Sequence, residues 1–141
     1  MAEIVTCRSG NRRNRVPAAA AGRPRCGGCQ TDLPWVAAAT DADLQAVVLE
    51  STVPVLLDLW APWCPPCRAV SPVLERIAAE RAGHLKLVKI NTDENPAATT
   101  RFEASSIPTL VLLRGGQVLS TRRGALPYPM LNNWVTTTLG G

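Results

Sequence analysis

The sequence contains no apolar run long enough to cross a membrane. A transmembrane helix needs roughly 18 to 20 consecutive apolar residues, and the 141 residues contain no such stretch. The first residues also lack an apolar segment ahead of their arginines, so we expect no secretory signal peptide and predict a cytoplasmic protein. A membrane-spanning protein is therefore excluded, and we expect no membrane partner.

Excess charge is absent from most of the chain. Residues 1–36 carry six arginines against two acidic residues, whereas residues 37–141 carry nine basic and nine acidic side chains. The arginines are expected to form a solvated surface, and the neutral main body disfavours a nucleic-acid partner. Apolar residues make up 46% of the chain, which is enough for one packed core and excludes wholesale disorder.

Histidine is nearly absent, and cysteine occurs in an odd number. The chain has one histidine, His84, and five cysteines, four of which form two C-x-x-C pairs. An odd number without a signal peptide argues against a secreted disulfide scaffold. In a cytoplasmic chain such a pair indicates either metal binding or redox chemistry, and the neighbouring residues decide between them.

The apolar pattern divides the chain into a short extension and one domain. Residues 1–34 show neither a helical nor an alternating apolar period, so we interpret them as a linker, a tail or a segment held by a metal. Residues 35–141 alternate strand-like and helix-like segments. Strands are predicted at 35–38, 53–60, 85–90, 109–113 and 117–122, and helices at 44–50, 64–81, 96–102 and 130–139. This order predicts an α/β fold with a mixed central sheet and helices on both faces.

One cysteine pair lies at a strand-to-helix junction. The segment Trp63-Cys64-Pro65-Pro66-Cys67 follows a nearly continuous apolar strand and opens a helix. Unpaired N–H groups and the helix dipole stabilise a thiolate at Cys64, and the thiolate is the species that attacks disulfides. Two intervening residues let Cys67 reach and resolve a mixed disulfide. These neighbours favour redox chemistry over a zinc half-site or inert core thiols.

The main domain resembles the thioredoxin family over roughly residues 35–141. The stretch from Asp58 to Cys67 is similar to its active-site signature, Pro72 to its helix-kinking proline, and Ile107-Pro108-Thr109 to its cis-proline loop. The resemblance implies the thioredoxin fold and a protein-disulfide reductase that uses no cofactor for its chemistry. It also implies disulfide-containing client proteins and electron supply by a flavin-dependent thioredoxin reductase. We expect a monomer.

The resemblance further implies roles for the residues around the pair. Cys64 attacks, Cys67 resolves, and Asp58 accepts the proton of Cys67. Asp58 stands in an otherwise apolar strand, where burial should raise its pKa, and Lys89 matches the family's lysine near that aspartate. The implied substrate-binding residues are Trp63, Pro66, Ile107, Pro108 and Gly124. The alternatives are a solvated aspartate, an outward-facing lysine and an ordinary trans proline.

The residues between the two cysteines depart from the family pattern. Familiar thioredoxins have Gly-Pro there, whereas this chain has Pro65-Pro66. Loss of the glycine stiffens the loop and leaves the redox poise open. Two alternative functions therefore remain: a thioredoxin-fold module that binds clients or acts as a chaperone without turnover, and a disulfide oxidase or isomerase.

The extension resembles that of zinc-containing bacterial thioredoxins, the thioredoxin 2 type, in which two C-x-x-C pairs bind one zinc. Gly10 stands where the fourth cysteine is expected. The resemblance implies a candidate structural zinc, with His84, Asp32 or water as an outside ligand. The implied metal ligands are Cys7, Cys26 and Cys29. The alternative is a flexible tail with three free thiols.

Overall fold

The chain folds around a five-stranded mixed sheet, which a two-stranded hairpin precedes. The computed structural model describes residues 3–7, 13–19 and 24–140. The strands in these ranges are β1 Glu3–Thr6, β2 Arg13–Val16, β3 Trp35–Ala38, β4 Val55–Trp60, β5 Lys86–Asn91, β6 Thr109–Arg114 and β7 Gln117–Arg123. The helices are α1 Pro65–Glu80, α2 Pro96–Arg101 and α3 Tyr128–Leu139, with a π-helical segment at Gln45–Leu49. None of the helices described is long and apolar enough to span a membrane.

The strand order in the larger sheet is β3-β5-β4-β6-β7. Strands β3, β5 and β4 run parallel, whereas β6 and β7 are antiparallel to their neighbours. Gly115 and Gly116 both have positive φ and form the tight turn between β6 and β7, as expected for a two-residue hairpin. The predicted mixed sheet in an α/β fold is therefore confirmed.

Strand β4 separates two apolar cores, because successive side chains of a strand point to opposite faces of the sheet. Leu57 and Leu59 belong to the core that contains residues of the π-helical segment and α2. Leu56 belongs to the other core, with residues of α1 and α3. Asp58 shares the parity of Leu56, so this acidic side chain lies on the α1 side of the sheet.

Helix α1 begins directly after the loop that follows β4. Cys64 is its N-cap residue, and Pro65 occupies the first helical position, where a missing N–H has no intrahelical partner. Pro72 lies inside the helix, as predicted, and removes one internal hydrogen bond. Val70 and Leu74 are buried against the sheet. The packing of α1 therefore holds its N-terminus beside the end of β4.

The described part of the extension packs against the start of β3. Strands β1 and β2 pair antiparallel. Ala18 belongs to the core that contains Leu57 and Leu59, and a separate buried cluster also joins the extension to the domain. Its members are Cys7, Val16, Cys26, Leu33 and Trp35. The indole Nε1 of Trp35 donates a hydrogen bond of 2.8 Å to the carbonyl of Pro17. Residues 35–38 of the domain edge are thus covered at one end by the extension.

Lys86 is fully buried beside this junction. Its Nζ lies 4.3 Å from the centroid of the Trp35 ring and donates a 2.6 Å hydrogen bond to the carbonyl of Val47. Burial lowers the pKa of Lys86 to about 8, because an ammonium ion loses hydration in the interior. The cation–π contact and the hydrogen bond compensate part of that loss.

Two elements differ from the sequence prediction. Residues 1–34 contain the hairpin of β1 and β2, whose four-residue strands are too short for an alternating period to be recognised. The predicted helix over 44–50 is largely π-helical. Glu50 N donates to the Gln45 carbonyl five residues earlier, while the Val47 carbonyl accepts from Lys86. The carbonyl of Val47 thus receives a hydrogen bond from a side chain 39 residues away in the sequence.

Candidate active site

Cys64 and Cys67 form a disulfide at the N-terminus of α1, with their Cα atoms 5.3 Å apart. The Sγ of Cys64 accepts a hydrogen bond of 3.2 Å from the backbone N–H of Cys67. Pro65 and Pro66 carry no N–H, so this donor comes from the first residue of the helix able to supply one. In the reduced state the same donor and the helix dipole favour a thiolate at Cys64.

A loop from the far end of the chain lies beside this sulfur. The Ile107–Pro108 peptide bond is cis, as predicted, and the Ile107 carbonyl oxygen lies 3.9 Å from the Sγ of Cys64. The backbone N–H of Gly124 donates to the Pro108 carbonyl at 2.9 Å. Gly124 has φ of +94°, and a Cβ built there would meet no atom within 4 Å. The space directly above Gly124 is therefore open.

Two contacts hold the exposed side of the loop that carries the cysteines. Trp63 is 66% exposed, and its Nε1 donates to both carboxylate oxygens of Asp93 at 3.1 Å. The guanidinium of Arg68 donates to the Pro62 carbonyl at 2.7 Å. Pro66 is also exposed. Trp63 and Pro66 therefore present apolar surface next to the disulfide.

Asp58 is buried behind the disulfide and is 1% exposed. Its Oδ1 has no hydrogen-bond partner among the described residues. Burial raises the pKa of Asp58 to about 7, and the positive charge of Lys89 opposes part of the rise. The predicted rise in pKa is therefore present. A cavity of about 110 Å³ lies beside it, lined by Asp58, Trp60, Cys67, Arg68, Ser71 and Lys89.

Lys89 reaches this cavity from the neighbouring strand. It pairs in register with Asp58, and its Nζ lies 2.6 Å from the Ser71 Oγ and 3.9 Å from the Glu75 Oε1. Lys89 also borders a second cavity, of about 410 Å³, together with Trp60 and Glu75. Sequence reasoning missed Ser71 and Glu75, although both follow Cys67 at four-residue spacing on α1, which indicates one helix face.

The structure brings most of the sequence-predicted site residues together. Cys64 lies against the Ile107–Pro108 loop, and Asp58, Cys67 and Lys89 meet at the 110 Å³ cavity. Trp63, Pro66 and Gly124 are near these groups through the loop, the helix start and the Pro108 carbonyl. The three cysteines of the extension lie elsewhere: Cys7 and Cys26 belong to the cluster around Trp35 at the start of β3, and Cys29 lies next to them.

Those three cysteines form a compact group of sulfur atoms. The Sγ atoms of Cys7, Cys26 and Cys29 lie within 4.8 Å of one another. Hydrogen bonds, chiefly from the backbone of Cys29, lower the pKa of the Cys26 thiol to about 6. Within residues 3–7, 13–19 and 24–140, neither His84 nor Asp32 belongs to this group. Gly10, the position of the missing fourth cysteine, lies outside the described residues.

Comparison with known proteins identifies the family of the main domain. The thioredoxin family model matches residues 35–137. A thioredoxin of Haemophilus influenzae is 50% identical over 95 residues, which are 67% of this chain and 89% of that protein. Thioredoxin 1 of Synechococcus elongatus is 50% identical over 97 residues, which are 69% of this chain and 91% of that protein.

A longer match comes from a chloroplast protein. Thioredoxin M4, chloroplastic, of Arabidopsis thaliana is 39% identical over 127 residues, which are 89% of this chain and 65% of that protein. The matched relatives thus include bacterial, cyanobacterial and chloroplast proteins.

Proposed function

The chain belongs to the thioredoxin family and is a protein-disulfide oxidoreductase, and we propose that Cys64 is its attacking thiol and Cys67 its resolving thiol. Proteins of this family need no cofactor for this chemistry. The observation that carries the assignment is that Cys67 lines the cavity of Asp58, whereas Cys64 caps the helix. Each cysteine therefore has the environment that its step requires.

The first step forms a mixed disulfide with a client protein. The Cys64 thiolate attacks one sulfur of a client disulfide, a new S–S bond forms, and the client disulfide breaks. The departing client sulfur leaves as a thiolate and takes a proton from water. The N–H of Cys67 and the helix dipole favour the thiolate of Cys64 before attack.

The second step releases the client. Cys67 passes its proton to the carboxylate of Asp58, and the resulting thiolate attacks the Sγ of Cys64. The Cys64–Cys67 disulfide forms, the mixed disulfide breaks, and the second client sulfur leaves as a thiolate. The client gains two electrons and the protein loses two. A carboxyl group with a pKa of about 7 can both accept and return a proton near neutral pH.

The surface around Gly124 and the Ile107–Pro108 loop is proposed to bind an extended client segment beside Cys64. The carbonyl of Ile107 is close to the attacking sulfur, and the missing side chain of Gly124 leaves space above the backbone. Trp63 and Pro66 add exposed apolar contacts. Pro108 holds the loop in place through its hydrogen bond from Gly124.

A trapping experiment tests the two thiol roles. The Cys67→Ser variant should accumulate mixed disulfides with client proteins through Cys64, because the resolving step is removed. The matched Cys64→Ser variant should accumulate few and should not reduce insulin disulfides. Accumulation of mixed disulfides by Cys64→Ser instead would reverse the assignment. Insulin reduction by Cys64→Ser at the wild-type rate would favour chemistry outside this pair.

We propose that residues 35–141 form the catalytic domain and that residues 1–34 are a degenerate zinc ribbon of the thioredoxin 2 type. Three sulfur atoms within 4.8 Å of one another can ligate one Zn²⁺, and the pKa of about 6 at Cys26 favours the thiolate that binding needs. Cys7, Cys26 and Cys29 would hold the ion, which would fasten the hairpin to the Cys26–Cys29 loop. The extension contains no fourth cysteine, so water is the proposed fourth ligand.

Metal analysis tests this proposal. Protein purified from zinc-supplemented cells should contain zinc, which should leave as the pH falls because thiolate ligands become protonated. Gly10→Cys should retain zinc against a chelator better than the wild type, and Cys29→Ser should retain it less well. If neither wild type nor Gly10→Cys contains zinc, the extension holds no metal.

The proposed electron donor and cellular compartment rest on the need to keep the active-site cysteines reduced. Members of the thioredoxin family act on disulfide substrates and are reduced by thioredoxin reductase, and we propose a flavin-dependent reductase for this chain. Cys26 and Cys29 are free thiols and the active pair must be regenerated as a dithiol, so a reducing compartment such as the cytoplasm is proposed. No step above needs a second copy, which supports a monomer.

A further inference from the structure

We propose that Ser71 is a positioning residue of disulfide reduction: its hydroxyl holds the ammonium of Lys89 in the wall of the Asp58 cavity and so keeps Asp58 able to accept the proton of Cys67. This inference rests on the proposed role of Asp58. Ser71 touches neither client nor reacting sulfur. Its effect is exerted through Lys89.

The position of Ser71 follows from helix geometry. Ser71 comes four residues after Cys67, so both side chains lie on one face of α1, and both line the cavity of about 110 Å³. The strand register places Lys89 beside Asp58 on the sheet below. The hydroxyl of Ser71 therefore meets the ammonium of Lys89 across the gap between helix and sheet, at 2.6 Å.

The ammonium lies at a boundary between two spaces. On its inner side is the small cavity with Asp58 and Cys67. On its outer side is the larger cavity of about 410 Å³, which Glu75 and Glu94 also line. The titratable groups that line the two cavities are Asp58, Cys67, Arg68, Glu75, Lys89 and Glu94. Lys89 therefore has one acidic group, Asp58, at the small cavity and two, Glu75 and Glu94, at the larger cavity.

This arrangement predicts the direction in which Lys89 moves when the hydroxyl is lost. No salt bridge joins Lys89 to Asp58 within the described residues, and its ionic partner there is Glu75, at 3.9 Å and with a half-exposed side chain. In Ser71→Ala that partner draws the ammonium outward. The charge that favours the ionised form of Asp58 then becomes more distant, and the pKa of Asp58 rises.

The expected loss of activity in Ser71→Ala depends on the pKa of Asp58 in the wild type. With a pKa of about 7, roughly half of Asp58 is ionised at neutral pH. A further rise of about half a pH unit leaves about a quarter ionised, so disulfide reduction should slow about twofold at pH 7. The loss should disappear at higher pH, where Asp58 is ionised in both proteins.

The experiment measures the titration of Asp58 directly, by carboxyl ¹³C NMR of the oxidised protein, together with the pH profile of insulin reduction. Ser71→Ala should raise the pKa of Asp58 by part of the rise that Lys89→Met produces. Ser71→Thr keeps a hydroxyl and should titrate like the wild type. In a Lys89→Met background, Ser71→Ala should add nothing, because the ammonium that it positions is gone.

Two outcomes overturn the inference. The first is an Asp58 titration in Ser71→Ala that matches or falls below the wild-type value. The second is a shift that persists in the Lys89→Met background, which would assign Ser71 a direct effect on the cavity. Failure of the proposed role of Asp58 is recognised separately, since Asp58→Asn would then reduce insulin at the wild-type rate whatever Ser71 does.

Discussion

Replacement of Asp58 by asparagine should stabilise the protein at neutral and alkaline pH, and it should slow disulfide reduction. The carboxyl group is 1% exposed and one of its oxygens has no hydrogen-bond partner among the described residues. A charge in that position loses its hydration without full compensation. Asparagine has nearly the same shape and carries no charge, so the cost of the ionised form disappears.

The magnitude follows from the pKa of Asp58. Folding raises this pKa from an ordinary 3.8 to about 7, so the folded state binds the proton more tightly than the unfolded state. Ionisation of Asp58 therefore does not affect the stability of the wild type below pH 3.8. The stability falls as the pH rises from 3.8 to about 7, and the full cost of ionisation is present above pH 7. At about 1.4 kcal/mol for each pH unit, the full cost is about 4 kcal/mol.

Denaturant unfolding of the oxidised proteins at two pH values checks this expectation. Near pH 4, Asp58→Asn and the wild type should differ little in free energy of unfolding, whereas near pH 8 the variant should be more stable by up to about 4 kcal/mol. Glu94→Gln, at an exposed carboxylate, is the control and should change little at either pH. A stability difference that is the same at both pH values would refute the reasoning from burial.

Three other predictions concern the thiols, the extension and the buried lysine. In the reduced protein, Cys64 should react first with an alkylating agent and Cys67 later, as mass mapping would show; the reverse order would contradict the assigned roles. Deletion of residues 1–34 should leave a folded reductase that is less stable by about 2 kcal/mol, because Trp35 becomes exposed; loss of cooperative unfolding would contradict this. Replacement of Lys86 by methionine should change the pH dependence of stability. Because the pKa of Lys86 is lowered to about 8, the free energy of unfolding of the wild type should rise relative to that of the variant between about pH 8 and pH 10. A difference in free energy of unfolding that is the same at both pH values would contradict this.

The main domain could be predicted from sequence because its signals are local. A strand such as Val55–Trp60, buried on both faces, reads as a continuous apolar run, and a lone aspartate within it stands out. The N-cap position of Cys64 follows from the order of strand, cysteine and proline. Even the hairpin turn at Gly115 and Gly116 is recognisable from two adjacent residues.

The remaining features depend on contacts between distant segments. The π-helical form of Gln45–Leu49 accompanies the hydrogen bond of Lys86 to the Val47 carbonyl, a contact that no local pattern records. Ser71 has no distinguishing feature in the sequence of an amphipathic helix. Its contact with Lys89 depends on how β5 lies beside β4 and under α1. The packing of the extension on Trp35 is likewise not predictable from sequence, because the sequence does not show whether the Trp35 ring contacts the extension or a helix.

The location of the extension bears on whether the two C-x-x-C pairs can exchange electrons. The cysteine cluster packs on Trp35, which is in register with Lys86 and so with Val55, at the start of β4. The active-site disulfide follows Trp60, at the end of the same strand. Five residues of extended strand span about 16 Å, many times the length of an S–S bond. Disulfide exchange between the pairs of one molecule is therefore excluded in the folded chain. The described part of the extension contacts the main domain by packing, at Trp35 and through Ala18.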